Sequence, residues 1–184
     1  MIDALAVRRL ALISLCLGLT SAAHAEQVRT ATAASQALSG RYQYVGDAGE
    51  QAARAEAIDR GIESLFFAIR PIARSRARDA TAIAKACAIS VEGPLIRVRT
   101  FDRPDYVAPG DGTKARYVYA GDESTLTHRW QGSALIEHFD QEGEGRINEY
   151  SLSEDGQTLK VKVTLYSPQL TRPIVYRLTY RRER

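Results

Sequence analysis

Beyond Ala86 the chain is a succession of short runs in which apolar and polar residues alternate, each ended by turn-forming residues. The runs cover 87–91, 95–101, 114–120, 124–130, 133–139, 146–152, 158–166 and 174–180. In the clearest of them Leu159, Val161, Val163 and Leu165 alternate with Lys160, Lys162 and Thr164, which predicts a strand with one dry and one wet face. The breaks are Glu92-Gly93-Pro94, Pro109-Gly110-Asp111-Gly112, Ala120-Gly121-Asp122, Gln131-Gly132 and Glu154-Asp155-Gly156. One further alternating run, Gly40-Arg41-Tyr42-Gln43-Tyr44-Val45, precedes a stretch of different period. From Gly49 to about Arg70 the apolar residues Ile58, Ile62, Leu65, Ile69 and Ile72 recur at spacings of three and four, which predicts an amphipathic helix. Pro71 lacks the N–H that a continuing helix needs, so the helix should kink or restart there and run on toward Asp79. The pattern predicts a mainly β domain over 38–184. Its architecture is an antiparallel meander barrel or half-barrel of about eight to nine strands, with a helix or helical hairpin at about 49–80 between the first and second strands.

The N-terminus follows other rules. Arg8 and Arg9, the apolar run from Leu10 to Leu19, and Ala23-His24-Ala25 before Glu26 form the three parts of an export signal, cleaved near Ala25. Residues 26–37 have no stable period and predict a flexible leader. The mature protein is then periplasmic or secreted, and about 159 residues suffice to bury roughly 68 to 70% of the unfolded chain's surface without staples. The apolar run is too short to span a bilayer, which needs about 20 residues, and no later stretch comes close. Cleavage removes Cys16 and leaves Cys87 as the single thiol, which excludes an intramolecular disulfide. The formal net charge of +3 falls to about +2 after cleavage, which provides no electrostatic case for nucleic acid.

Turn geometry assigns faces. A two-residue loop at Gln131-Gly132 pairs Trp130 with Ser133, and places Leu126, His128, Trp130, Leu135, Glu137 and Phe139 on one inward face. His128 and Glu137 are then diagonal neighbours among apolar residues, either a core hydrogen bond that sets register or the anchor for a ligand's polar head. A three-residue loop at Glu154-Asp155-Gly156 points Glu149 inward and Asn148 and Tyr150 outward; a slip of one residue reverses this. Glu149 near Glu137 would be a carboxylate pair suited to acid and base chemistry. Phe66 and Phe67 either pack on the sheet or cover a ligand cavity.

The residues also carry a resemblance. Leu38-Ser39-Gly40-Arg41-Tyr42 resembles the Gly-x-Trp opening of lipocalins with Tyr42 in place of Trp. The run from Tyr176 to Arg182 resembles the closing strand whose arginine packs over that aromatic. Tyr150 to Val161 is similar to the final hairpin of small exported bacterial lipocalin-like proteins. In architecture the resemblance to the calycin group, lipocalin-like and fatty-acid-binding-protein-like barrels, spans 38–182. It implies a barrel holding a small apolar molecule or lipid. The helical segment occupies the position of the two-helix lid of fatty-acid-binding proteins, whereas their Arg-x-Tyr carboxylate clamp is absent because Arg177 is followed by Thr179.

The candidate ligand-binding residues are therefore Tyr42, Tyr44, Phe66, His128, Trp130, Glu137, Phe139 and Glu149. The other reading is a packed barrel that serves as a structural or interaction domain of the cell envelope, with Arg70, Arg74, Arg76, Arg78 and Lys85 facing anionic partners. No Gly-x-Ser-x-Gly elbow, His-Glu-x-x-His helix, phosphate-cradling loop or Cys-x-x-Cys pair is present, so neither catalytic residues nor a cofactor or metal are assigned.

Overall fold

The computed structural model describes residues 36–184 apart from Ala120; the export signal and most of the leader lie outside the described residues. Ten antiparallel strands form one sheet: β1 (Gly40–Tyr44), β2 (Ala86–Glu92), β3 (Leu95–Arg99), β4 (Tyr106–Pro109), β5 (Ala115–Tyr119), β6 (Asp122–Gln131), β7 (Ala134–Gln141), β8 (Glu144–Leu152), β9 (Thr158–Tyr166) and β10 (Ile174–Arg182). Two helices, α1 (Ala48–Ile62) and α2 (Arg70–Ala80), stand between β1 and β2. The sheet order is β4-β3-β2-β1-β10-β9-β8-β7-β6-β5, so the chain's first strand pairs with its last. β4 escapes the periodicity because it is only four residues long, ends in Pro109 and begins two residues after Pro104.

The sheet curls into a nearly closed calycin-like barrel. Its seam, between β4 and β5, has no ladder and is bridged by side chains. Tyr106 of β4 meets Tyr117 of β5 and Phe139 of β7 edge-to-face at 5.2 and 4.9 Å. One isolated bridge joins Asp111 to Arg129, and Gly112 N donates to His128 O at 2.8 Å. This resolves the choice between barrel and half-barrel in favour of the barrel.

The closing-strand arginine that the resemblance places over the opening aromatic is Arg182, and it sits over Tyr42 at one end of the barrel. Tyr42 is fully buried, its hydroxyl donates to Leu38 O at 2.6 Å, and the Arg182 guanidinium lies 5.0 Å above its ring. Arg182 also donates to Tyr42 OH and Ser39 O, both at 2.7 Å, and to Gly156 O at 2.9 Å. The arginine thus ties the two chain ends of the barrel to the β8–β9 turn, and Tyr42 is a plug.

α1 starts at Asp47, whose carboxylate accepts from Glu50 N at 2.8 Å. Glu50 in turn accepts from Thr179 N and Oγ1 at 3.1 and 2.6 Å, which pins the helix to β10. The helix ends at Ile62, earlier than the apolar period suggested. There Arg70 donates to the freed carbonyls of Glu63 and Leu65, both at 2.8 Å, and Pro71 sits in the first turn of α2. The segment is a helical hairpin. Gly61 lets α1 approach β10: a Cβ there would lie 2.2 Å from Ile174 Cγ1. Gly61→Val is expected to cost about 1 to 3 kcal/mol, seen as a lower urea midpoint at unchanged slope.

Candidate functional site

The barrel interior has three levels. The end sealed by Tyr42 and Arg182 also holds Trp130, Leu135 and Leu159, on the strand ends remote from α2. Midway lies a polar network. Glu137 Oε1 accepts from Asn148 Nδ2 at 2.7 Å and from Tyr150 OH at 2.8 Å, and Glu137 Oε2 meets His128 Nε2 at 3.0 Å. His128 and Glu137 are both at 0% exposure. Burial first, and Glu137 second, hold the Tyr150 hydroxyl well above its ordinary pKa, so it remains a donor to Glu137. A cavity of about 60 Å³ adjoins this network, walled by Cys87, Asn148, Tyr150, Val161 and Leu178 among others. It has room for a few waters but not for an alkyl chain. Burial, with Glu137 adding to it, pushes the Cys87 thiol up to about 12, which makes it an inert core group.

The third level is open. A cleft of about 850 Å³ lies between the helical hairpin and the nearby ends of β5 to β10. Its apolar walls include Ile62, Leu65, Ile69, Ile72, Leu165 and Ile174, and its floor is Tyr106, Tyr117, Phe139 and Arg146. The Arg146 guanidinium lies 4.9 Å from the Phe139 ring centroid and 5.8 Å from that of Tyr106. Burial opposes its charge, but Tyr106, Glu137 and Tyr150 outweigh this and raise its pKa, so Arg146 is a permanent cation. Arg103 and Arg76 add positive charge to the walls. Arg103 also donates to Asp79 O at 3.2 Å and stacks on Tyr119 at 5.4 Å, joining the β3–β4 loop to α2 and β5. Carboxylates line the cleft only at strand ends and turns: Asp122, Asp140 and Glu144. Arg103, Tyr106 and Arg146 line both the cleft and the small cavity, so they form the partition between them.

The sequence candidates are distributed over all three levels. Phe139 lines the cleft. His128 and Glu137 share the expected inward face, but as directly opposed residues and not diagonal ones, because the hairpin loop is Gly132-Ser133 closed by Gln131 and Ala134. A shift of two residues preserves the face. Trp130 lies at the sealed end and Tyr42 is the plug, so neither lines the cleft. Tyr44 packs edge-on against Tyr180 at 5.5 Å and lies outside both cavities. Phe66 is 66% exposed in the turn between the helices, neither packed on the sheet nor over the cleft. Glu149 faces outward and pairs with Lys162 at 3.2 Å, while Asn148 and Tyr150 face inward. The cause is the β8–β9 turn, where Ser153 and Thr158 close the loop and not Ser153 and Gln157, which slips the ladder by one residue. Glu149 and Glu137 therefore lie on opposite faces of the sheet and form no carboxylate pair. The same slip hid Arg146, which shares the parity of Asn148 and Tyr150. Among the described residues no three His, Cys, Asp or Glu side chains are placed to hold a metal ion. No helix among the described residues is long and apolar enough to cross a membrane.

No protein-family model matches the chain, and no curated protein matches it significantly. Solved structures do. An abundant heat soluble (SAHS) protein from Ramazzottius varieornatus superposes with a TM-score of 0.53 at 11% identity, covering 80% of this chain and 96% of that one. Echinococcus granulosus fatty-acid-binding protein 1 gives 0.49 at 14% identity, covering 81% and 99%. A mutant of the fatty acid transporter REP1-NXSQ gives 0.46 at 14% identity, covering 79% and 98%. At such identities the likeness is one of fold alone.

Proposed function

We propose that this chain is an exported carrier, periplasmic or secreted, that holds a small amphiphile with an anionic head in the cleft beneath its helical hairpin. The observation that carries the reading is the pairing of an 850 Å³ apolar cleft with a permanent cation, Arg146, on its floor. The volume lies within the range of small-ligand sites, and a few convergent polar groups in an apolar wall are the usual composition of one. A carboxylate or similar head on Arg146 gains a charge-assisted hydrogen bond in a half-buried setting, and the tail is covered by Ile62, Leu65, Ile69 and Ile72. The tail lies under the lid and not deep in the barrel, because the level beneath Arg146 is filled by the Glu137 network. The export part of the proposal is supported by the Arg8-Arg9, Leu10 to Leu19 and Ala23-His24-Ala25 pattern.

The test is native mass spectrometry of protein purified without detergent from its own host, followed by identification of whatever is bound and by N-terminal sequencing. A stoichiometric anionic amphiphile on a chain beginning near Glu26 is the expected result. A ligand-free protein that also fails to take up an environment-sensitive apolar dye would overturn the carrier reading in favour of a packed envelope domain.

A further inference from the structure

Large apolar side chains are normally scattered singly over a protein surface. Here four of the most exposed sit within seven residues at one corner of the molecule: Phe66 at 66%, Phe67 at 69%, Ile69 at 46% and Ile72 at 60%. The two phenyl rings lie 4.6 Å apart. Their turn is held in place, since Ile69 N donates to Phe66 O at 3.0 Å and the Arg70 guanidinium bonds the carbonyls on the other side of the turn. The apolar corner is therefore a presented feature. The turn leads straight into α2, and residues 66–80 carry Arg70, Arg74, Arg76 and Arg78 against one acid, Asp79. Arg74 pairs with Asp59 at 2.7 Å, whereas Arg76 and Arg78 form no ion pair among the described residues.

We infer that this corner docks the protein on an anionic lipid bilayer, with Phe66 and Phe67 entering the interface and the α2 arginines meeting the head groups. A bilayer interface offers both things the corner lacks: an apolar phase for the aromatic rings and, a few ångströms away, a layer of negative charge. A second copy of the chain fits worse, because it would bring two sets of α2 arginines together. A purely polyanionic partner would satisfy the arginines and leave the phenylalanines and isoleucines wet. Ile69 and Ile72 also line the cleft, so the docked surface is the rim of the candidate ligand site. The inference stands on surface residues alone and holds whether or not the cleft carries a ligand.

The experiment is co-sedimentation of the full chain with vesicles of phosphatidylcholine alone and with vesicles that also contain phosphatidylglycerol, at low and high salt. The protein should sediment with the phosphatidylglycerol vesicles, far less with phosphatidylcholine alone, and less at high salt. The Phe66→Ser/Phe67→Ser variant should bind roughly tenfold or more weakly, and Arg78→Glu roughly fivefold or more weakly. Both residues with phenyl rings are exposed and outside the cleft, so the double variant should retain the circular dichroism spectrum and any dye uptake of the parent. Absence of binding to phosphatidylglycerol vesicles, or a double variant that sediments like the parent, overturns the proposal. So does a concentration-dependent dimer in solution that the double variant abolishes, which assigns the corner to a second copy. Dye uptake measured without vesicles reports on the cleft separately, so failure of docking and failure of ligand binding are told apart.

Discussion

Glu137→Leu is expected to be the most damaging single change in this protein, with a loss of about 3 to 5 kcal/mol and a melting temperature lower by roughly 10 °C. The reason is geometric. One carboxyl group receives three partners from two neighbouring strands: His128 at 3.0 Å from β6, and Asn148 at 2.7 Å and Tyr150 at 2.8 Å from β8. All four residues are buried away from bulk solvent, so losing the acceptor leaves His128 Nε2 without its partner and leaves Asn148 Nδ2 and Tyr150 OH with only their mutual hydrogen bond at 3.2 Å. The asymmetry between breaking a buried pair and replacing it gives a second arm to the test. His128→Leu/Glu137→Leu removes a partner together with its acceptor and should recover part of the loss. Urea denaturation of the three proteins measures both. A Glu137→Leu loss below about 1 kcal/mol would mean that the network is not the polar keystone of the barrel.

The second large effect concerns binding. Arg146→Met keeps an unbranched stem over Phe139 while removing the charge, and should weaken a long-chain carboxylate by roughly thirtyfold to several hundredfold, or about 2 to 3.5 kcal/mol. The matching long-chain alcohol should bind the parent and the variant with similar affinity, because its tail uses the same apolar walls and its head has no charge to lose. Calorimetric titration of both ligands into both proteins separates the head-group contribution from the tail. If carboxylate and alcohol respond equally to Arg146→Met, the cation is structural and the head lies elsewhere.

The strands were legible because each has one dry face, and a period of two survives any error in loop length. That is why all nine runs, including the Lys160 and Lys162 strand, coincide with observed strands, whereas Tyr106–Pro109 is too short to show a period and itself ends in a proline. Which residues face inward was legible only as far as the turns were. At Gly132-Ser133 the pairing moved by two residues and His128 and Glu137 kept their face. At the β8–β9 turn it moved by one, and Glu149, Asn148, Tyr150 and Arg146 all changed sides. The decisive information there is the hydrogen bond between Ser153 N and Thr158 O at 2.8 Å, which depends on loop conformation and not on hydrophobic pattern. The aromatic candidates Tyr42, Trp130 and Phe139 were all correctly inward, but their height along the barrel axis, which separates plug from cleft, follows from sheet closure. Closure itself was not legible; the resemblance gave only a closing-strand arginine packed over Tyr42, which is Arg182. Phe66 illustrates the remaining gap: helical spacing cannot say that α1 stops at Ile62, and it is that stop which turns the phenylalanines out to solvent.

The central claim is that the ligand site is the cleft above Arg146 and not the lower barrel. The most direct measurement is an NMR titration of isotopically labelled protein with a long-chain carboxylate, following backbone amides, arginine side chains and the indole of Trp130. Saturable shifts confined to Ile62, Ile72, Tyr117, Phe139, Arg146 and Leu165, with Trp130 and Tyr42 unmoved, are the predicted result. Saturable shifts centred on Trp130 and Tyr42, or no saturable shifts at all, would contradict it.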